Sequence, residues 1–92
     1  MSDNTKAKAV ERMTKALANR RRLMIIKYLQ GTKSASVGAI AEKIDLSFKA
    51  TSKHLGILHA NDIVEREQIS LTMKYRLAHP THNITKSILS NL

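Results

Sequence analysis

The chain has 92 residues, room for one small domain and not two, and a domain of this size buries roughly 60–65% of the surface its unfolded form exposes. It contains no cysteine, which excludes a disulfide framework and any thiolate metal site. Sixteen Lys and Arg stand against seven Asp and Glu, a formal net charge of +9, which points to a polyanionic partner: nucleic acid first, an anionic membrane surface second.

No apolar run approaches the ~20 residues of a membrane span, and MSDNTKAKAV lacks the apolar stretch of a signal peptide. A soluble, cytoplasmic chain is expected. One Phe and two Tyr are too few for a platform that stacks single-stranded bases.

Residues 4–18 place Ala7, Val10, Met13 and Leu17 at helical spacing, with Lys6, Lys8, Arg12 and Lys15 elsewhere on the surface. Asn19 is positioned to cap a second helix, RRRLMIIKYLQ, expected to bury Leu23, Ile26 and Leu29 and to end at Gly31. TKSAS (32–36) reads as a polar loop. Ser36 suits the N-cap of a short third helix, VGAIAEK, with Val37, Ile40 and Ala41 facing inward. After the short connector KIDLS comes a fourth helix over about 48–60, capped by Ser47 and ended by Asn61 and Asp62. The period then changes: Leu71, Met73, Tyr75 and Leu77 alternate with Thr72, Lys74 and Arg76, which predicts a half-buried strand. It pairs with IVEREQ (63–68) through a turn near Gln68 to Ser70. Ile84, Ile88, Leu89 and Leu92 share one face of a C-terminal helix.

The expected fold is mainly α with a small β-hairpin: four helices, the hairpin, one helix. Two helices joined by a short turn and followed by a hairpin make a winged helix-turn-helix. Ala41 supplies the small residue that lets the pair approach closely, and Asp45 falls where the turn calls for a left-handed residue. On a wheel at about 100° per residue, Thr51, Leu55 and Leu58 share one face of the fourth helix. Lys49, Ser52, Lys53 and Gly56 share the opposite one, with Phe48 and His59 at one edge. A cationic, hydroxyl-bearing outward face can donate to phosphates and base edges in a major groove. The plain alternative is that Lys49 and Lys53 only solvate the helix; the net charge, the short connector and the hairpin weigh against it.

LANRRRLMII, SVGAIAEKIDLSFKATSKHLGIL and NDIVEREQ…MKYRL, together spanning about residues 13–78, resemble the ArsR/SmtB family of winged-helix repressors, TSKHLGIL most of all. The resemblance implies a homodimer joined by the first and last helices. It implies that the helix at 47–60 enters the major groove and that the hairpin is a wing beside the phosphate backbone. Carried onto this sequence, the groove-facing positions are Ser47, Phe48, Lys49, Ala50, Ser52 and Lys53. The departures are as informative. The paired cysteines through which many members sense metal correspond here to Ser36 and Gly38, which removes thiolate sensing. Arg20 replaces a proline, Asp62 replaces the glycine that ends the recognition helix, and the wing turn has no Gly. Phe48 takes a usually polar place, against a thymine methyl or against the wing.

His54 matches the histidine of the family's SxHL run and is a candidate DNA contact. It also borders the core face of the wheel, where a half-buried, locally satisfied ring is the competing reading. Arg66, Lys74 and Arg76 are candidate phosphate contacts on the wing, with Glu65 and Glu67 placed to pair with them. Arg22 reads as bracing the fold, Arg20 and Arg21 as reaching phosphates. Val10, Met13 and Leu17 with Ile84, Ile88, Leu89 and Leu92 form the expected dimer interface, packing within the chain being the alternative. His79 and His82 make an HxxH, too few ligands for zinc without a partner subunit. No metal or cofactor is expected. With no Gly-rich phosphate loop and no nucleophile–base pair, neither is catalysis.

The sequence thus predicts a single winged domain over 1–92 that binds double-stranded DNA as a homodimer: a sequence-specific transcription regulator, a repressor on a pseudo-palindromic operator. Its effector (a small molecule, a partner protein or none) is left open. The rival is a winged-helix adaptor that docks a protein and not DNA. A membrane-surface binder is disfavoured because the first helix has neither Trp nor Phe on its apolar face.

Overall fold

Helix N-caps punctuate the chain, and their positions decide where each element begins. In the computed structural model, which describes residues 2–92, Ser2 accepts from Thr5 N–H and opens α1 (Asp3–Leu17). Asn19 Oδ1 accepts from Arg22 N–H at 3.1 Å and opens α2 (Arg20–Gly31). Ser36 and Ser47 do the same for α3 (Val37–Ile44) and α4 (Phe48–Ala60), accepting from Ala39 and Ala50 N–H at 3.1 Å each. The last cap is a histidine: His82 Nδ1 accepts from Ile84 N–H at the start of α5 (Asn83–Leu89).

Two helices end alike. Asp45 is left-handed (φ 55°, ψ 55°), and Leu46 N–H donates back to Ala41 O at 3.0 Å. Asp62 is left-handed (φ 57°), and Ile63 N–H donates back to Leu58 O at 3.0 Å. These are Schellman endings with aspartate where glycine is preferred. Leu46 is half-buried and Ile63 buried against the core, so each turn is also fastened by an apolar contact.

Three strands form one antiparallel sheet in the order β1-β3-β2: β1 (Ala35–Ser36), β2 (Val64–Ile69) and β3 (Thr72–Leu77). β2 and β3 pair from Val64 opposite Leu77 to Ile69 opposite Thr72. The hairpin turn is therefore Ser70–Leu71, later than the sequence suggested. Ser70 takes the positive φ (56°) that the first central residue of a two-residue hairpin turn requires. Leu71, expected on the inward face of the strand, is instead 97% exposed at the tip. The alternation is real from Met73 onward, but the tip projects past the core and has nothing to pack on. TKSAS is not all loop either. Ala35 and Ser36 pair with Tyr75 and Lys74, covering the free edge of β3 and burying Ala35. Two residues give no readable period, so this strand had no signal of its own.

Leu17, Ile25, Ile26, Ile40, Leu55, Leu58 and Val64 form the centre of the core, closed by Tyr75 from β3 and Leu89 from α5. On α2 the buried set is Ile25, Ile26 and Leu29, while Leu23 is only partly buried. The inward stripe is thus rotated from the expected one, and Leu23 lies at its edge, half-buried against the core.

Candidate nucleic-acid interface

α3 and α4 are joined by Asp45, Leu46 and Ser47 alone, and Ala41 on α3 is buried. Thr51, Leu55 and Leu58 are fully buried beneath α4. That anchoring forces Lys49, Ser52, Lys53 and Gly56 to the outside, as the wheel requires. α4 has no acidic residue, so the charge of the two lysines is not offset within the helix. An added Cβ at Gly56 would meet nothing within 4 Å, so the backbone there is open to approach by another surface.

Around this face the candidates separate. Phe48 is 63% exposed and Ala50 half-buried. The Ser47 oxygen is occupied as the helix cap, which leaves its hydroxyl proton to donate outward. His54 is half-buried. Its Nδ1 lies 3.2 Å from Arg22 Nη1, and because a guanidinium has only donors, Nδ1 must accept and the neutral ring carries its proton on Nε2. Burial, followed by the neighbouring Arg22 and Arg21 cations, holds the ring below its ordinary pKa. Arg22 also donates to the carbonyls of Ala16 and Lys15 at the end of α1, so the residue expected only to brace the fold ties α1 to α4. Arg21 Nη1 reaches Ile44 O at 3.4 Å, tying the start of α2 to the end of α3, while Arg20 is exposed.

The wing cations do not act as a set. The register puts Arg66 on the face of the hairpin shared by Val64 and Tyr75, and Lys74 and Arg76 on the other with Glu65 and Glu67. Arg76 is taken up: its Nε donates to Glu65 and its Nη1 to Glu67, both at 3.1 Å, and these bonds raise its pKa. Glu65 also accepts from His79 N–H at 3.2 Å, which with Arg76 lowers its carboxyl pKa. Arg66 and Lys74 make no ion pair within 4.0 Å among the described residues, leaving them as the wing's free cations.

The chain's sequence and shape both have relatives. The bacterial regulatory protein arsR family matches residues 19–66, more than half of the chain and all of the helix-turn-helix. The chain belongs to the arsR family. Members of this family are transcription regulators, and the fold is their winged helix-turn-helix. A homodimeric winged helix-turn-helix DNA-binding domain from Mycobacterium bovis is 29% identical, with a TM-score of 0.83, over 99% of this chain and 83% of that one. The transcriptional regulator HlyU from Vibrio vulnificus is 32% identical, with a TM-score of 0.75, over 97% and 88%. The transcriptional repressor BigR from Xylella fastidiosa is 27% identical, with a TM-score of 0.79, over 97% and 87%. Among curated proteins none matches.

The residues expected to join two arsR-family subunits also divide. Leu17 and Leu89 are buried in the chain's own core, which removes them from any surface. Val10 is 47% and Leu92 50% exposed, and Met13, Ile84 and Ile88 are half-buried. His79 and His82 join no metal-ligand group: no cluster of three or more His, Cys, Asp or Glu occurs among the described residues. Nor is any described helix long and apolar enough to cross a membrane. The link from Arg22 to His54 was missed by sequence reasoning. The two lie on separate helices, and no spacing rule connects them.

Proposed function

We infer that this arsR-family chain is a repressor that binds a pseudo-palindromic operator as a homodimer, in the cytoplasm, with α4 in the major groove. The observation that carries the reading is the outward face of α4. Lys49 and Lys53 stand with Ser52 and Gly56 on one side of a helix that has no acidic residue and is pinned from beneath by Thr51, Leu55 and Leu58. In that pose the lysines neutralise phosphates, Ser47 and Ser52 donate to base edges or phosphates, and Phe48 offers its ring to a thymine methyl. On the wing, Arg66 and Lys74 are the cations free to follow the backbone, and Arg76 is not.

The partner subunit is read onto Val10, Met13, Ile84, Ile88 and Leu92, the members of the apolar seam left accessible by one chain. The homodimeric DNA-binding relative supports a dimer, and the BigR relative supports repression. Two-fold symmetry then requires half-sites spaced by about one helical turn or a multiple of it.

The test begins with selection from random duplexes and footprinting of the selected site. The selected site is then titrated with wild type and with Lys49→Ala/Lys53→Ala at several salt concentrations. The variant should remain dimeric and bind more weakly, with a log–log salt slope shallower by about 1.8, or 0.9 for each lost phosphate contact. A variant that binds like wild type at every salt concentration refutes the assignment. Failure to select any duplex, together with capture of one acidic protein, would favour an adaptor role.

A further inference from the structure

α2 meets the core through Ile25, Ile26 and Leu29, and on its other side it is also apolar. Leu23, Met24 and Tyr28 lie there at helical spacing, and with Ile44 and Leu92 they floor an open groove of about 600 Å³. That volume is typical of sites for small ligands. Met24 is 38% exposed, so the α2 side of this groove is uncovered, while Leu92 stands at its edge beside the seam assigned above to the partner subunit.

The rim is cationic. Arg20, Lys27 and Lys43 line the groove, and no acidic side chain does. The side chains of Arg20 and Lys43 make no ion pair within 4.0 Å among the described residues, and Lys27 has only a 3.4 Å bond to Gln30 Oε1. Arg20 and Lys43 lie at the end where α2 starts and α3 stops, the junction tied by Arg21 and Ile44 O. From Arg20 the apolar face runs along α2 to Gly31, about 16 Å at 1.5 Å per residue.

An apolar trough with two cations, Arg20 and Lys43, at one end and a third, Lys27, on its rim part-way along is complementary to one kind of molecule. We propose that this groove binds an amphipathic anion, a medium-length aliphatic chain ending in a carboxylate, with its head between Arg20 and Lys43 and its tail over Leu23, Met24 and Tyr28. A second copy of the chain fits less well. The exposed α1 carries Lys6, Lys8, Arg12 and Lys15 against Asp3 and Glu11, so it would bring like charge to a cationic rim. The proposal does not rest on α4 binding DNA, and its test involves none.

Dodecanoate, held below its micelle concentration, is titrated into the full chain and followed by backbone amide NMR. Saturable shifts are expected at Met24, Lys27, Tyr28, Gly31 and Lys43. Dodecanol, which lacks the charge, should bind about tenfold more weakly, the effect of losing two partly exposed ion pairs. Arg20→Gln/Lys43→Gln should lower dodecanoate to the affinity of dodecanol, and Met24→Asp, at an exposed position, should abolish binding with the rest of the spectrum unchanged. Equal affinity for dodecanol and dodecanoate would overturn the proposal, as would shifts mapping elsewhere or no saturation. So would groove amides that respond to protein concentration in place of the ligand, which would mean a second copy covers this face.

Discussion

Arg22 on α2 donates through Nη1 to His54 Nδ1 on α4 at 3.2 Å, while its other nitrogens hold the carbonyls of Ala16 and Lys15 at the end of α1. One guanidinium thus fixes three helices relative to one another, and it sets the tautomer of a ring on the helix read as entering DNA. Removing it should be costly. Arg22→Ala is expected to lower the unfolding free energy by about 1.5–3 kcal/mol, the range for hydrogen bonds to charged groups. Arg22→Lys should recover only part of this, because an ammonium cannot span acceptors in the fork geometry of a guanidinium. Urea denaturation of the three proteins decides it, and an alanine variant as stable as wild type removes Arg22 from the account.

The same contact has a pH signature. His54 has a folded pKa below the ordinary histidine value of about 6.5, chiefly through burial and then through Arg22 and Arg21. The unfolded chain therefore binds the proton more readily than the folded one. Stability from this site is complete above about pH 6.5 and is lost as the pH falls through 6.5 toward the lowered folded value. His54→Asn keeps an acceptor for Arg22 but does not titrate, so thermal unfolding between pH 7.5 and 5 should be flatter for this variant. An unchanged slope would assign the pH dependence to other groups.

The two aspartate helix endings cost conformational energy that glycine would relieve. Asp62, with φ 57°, is exposed and its carboxylate makes no ion pair within 4.0 Å among the described residues. Left-handed backbone costs an ordinary L-residue roughly 1–2 kcal/mol, less for Asp, and the flexibility of glycine in the unfolded chain takes back part of the gain. Asp62→Gly should therefore stabilise by about 0.5–1 kcal/mol in chemical denaturation. A loss of stability would mean that the carboxylate has a role beyond the turn.

Beneath α4, Thr51 is fully buried and its Oγ1 has no hydrogen-bond partner in the protein. A buried hydroxyl left unpaired costs about 1–3 kcal/mol. Thr51→Val keeps the shape and removes the polar atom, so stability should rise by roughly 1 kcal/mol. Because Thr51 faces away from the outward side of α4, operator affinity should not change. Destabilisation by the valine would reveal an unrecognised partner for the hydroxyl.

Arg76 offers a test of the wing. Glu65 and Glu67 hold it on the same face as Lys74. Glu65→Gln/Glu67→Gln removes two negative charges and releases the guanidinium. On the DNA-binding reading, affinity should increase and the log–log salt slope should steepen by about 0.9, one added phosphate contact. An unchanged slope would place the wing away from the backbone.

Local chemistry was legible in the residues. Asn19, Ser36 and Ser47 mark helix starts because a cap bond closes over three residues, and Asp45 and Asp62 mark exits because few other side chains accept left-handed backbone. The two faces of α4 followed from its period, since Thr51, Leu55 and Leu58 leave Lys49, Ser52 and Lys53 only one place to point. What the tertiary structure alone decided were relations between distant segments. Ala35 and Ser36 became a strand because β3 presented them with a free edge. Leu17 and Leu89 went into the core and Leu23 to the boundary between the core and the α2 groove because neighbouring helices set which side of each stripe was covered. Leu71, in step with the strand, was left at the tip because the turn lies beyond the core. Periodicity states which residues share a face; only the placement of the other elements states what that face meets, and that is how Arg22 and His54 came together.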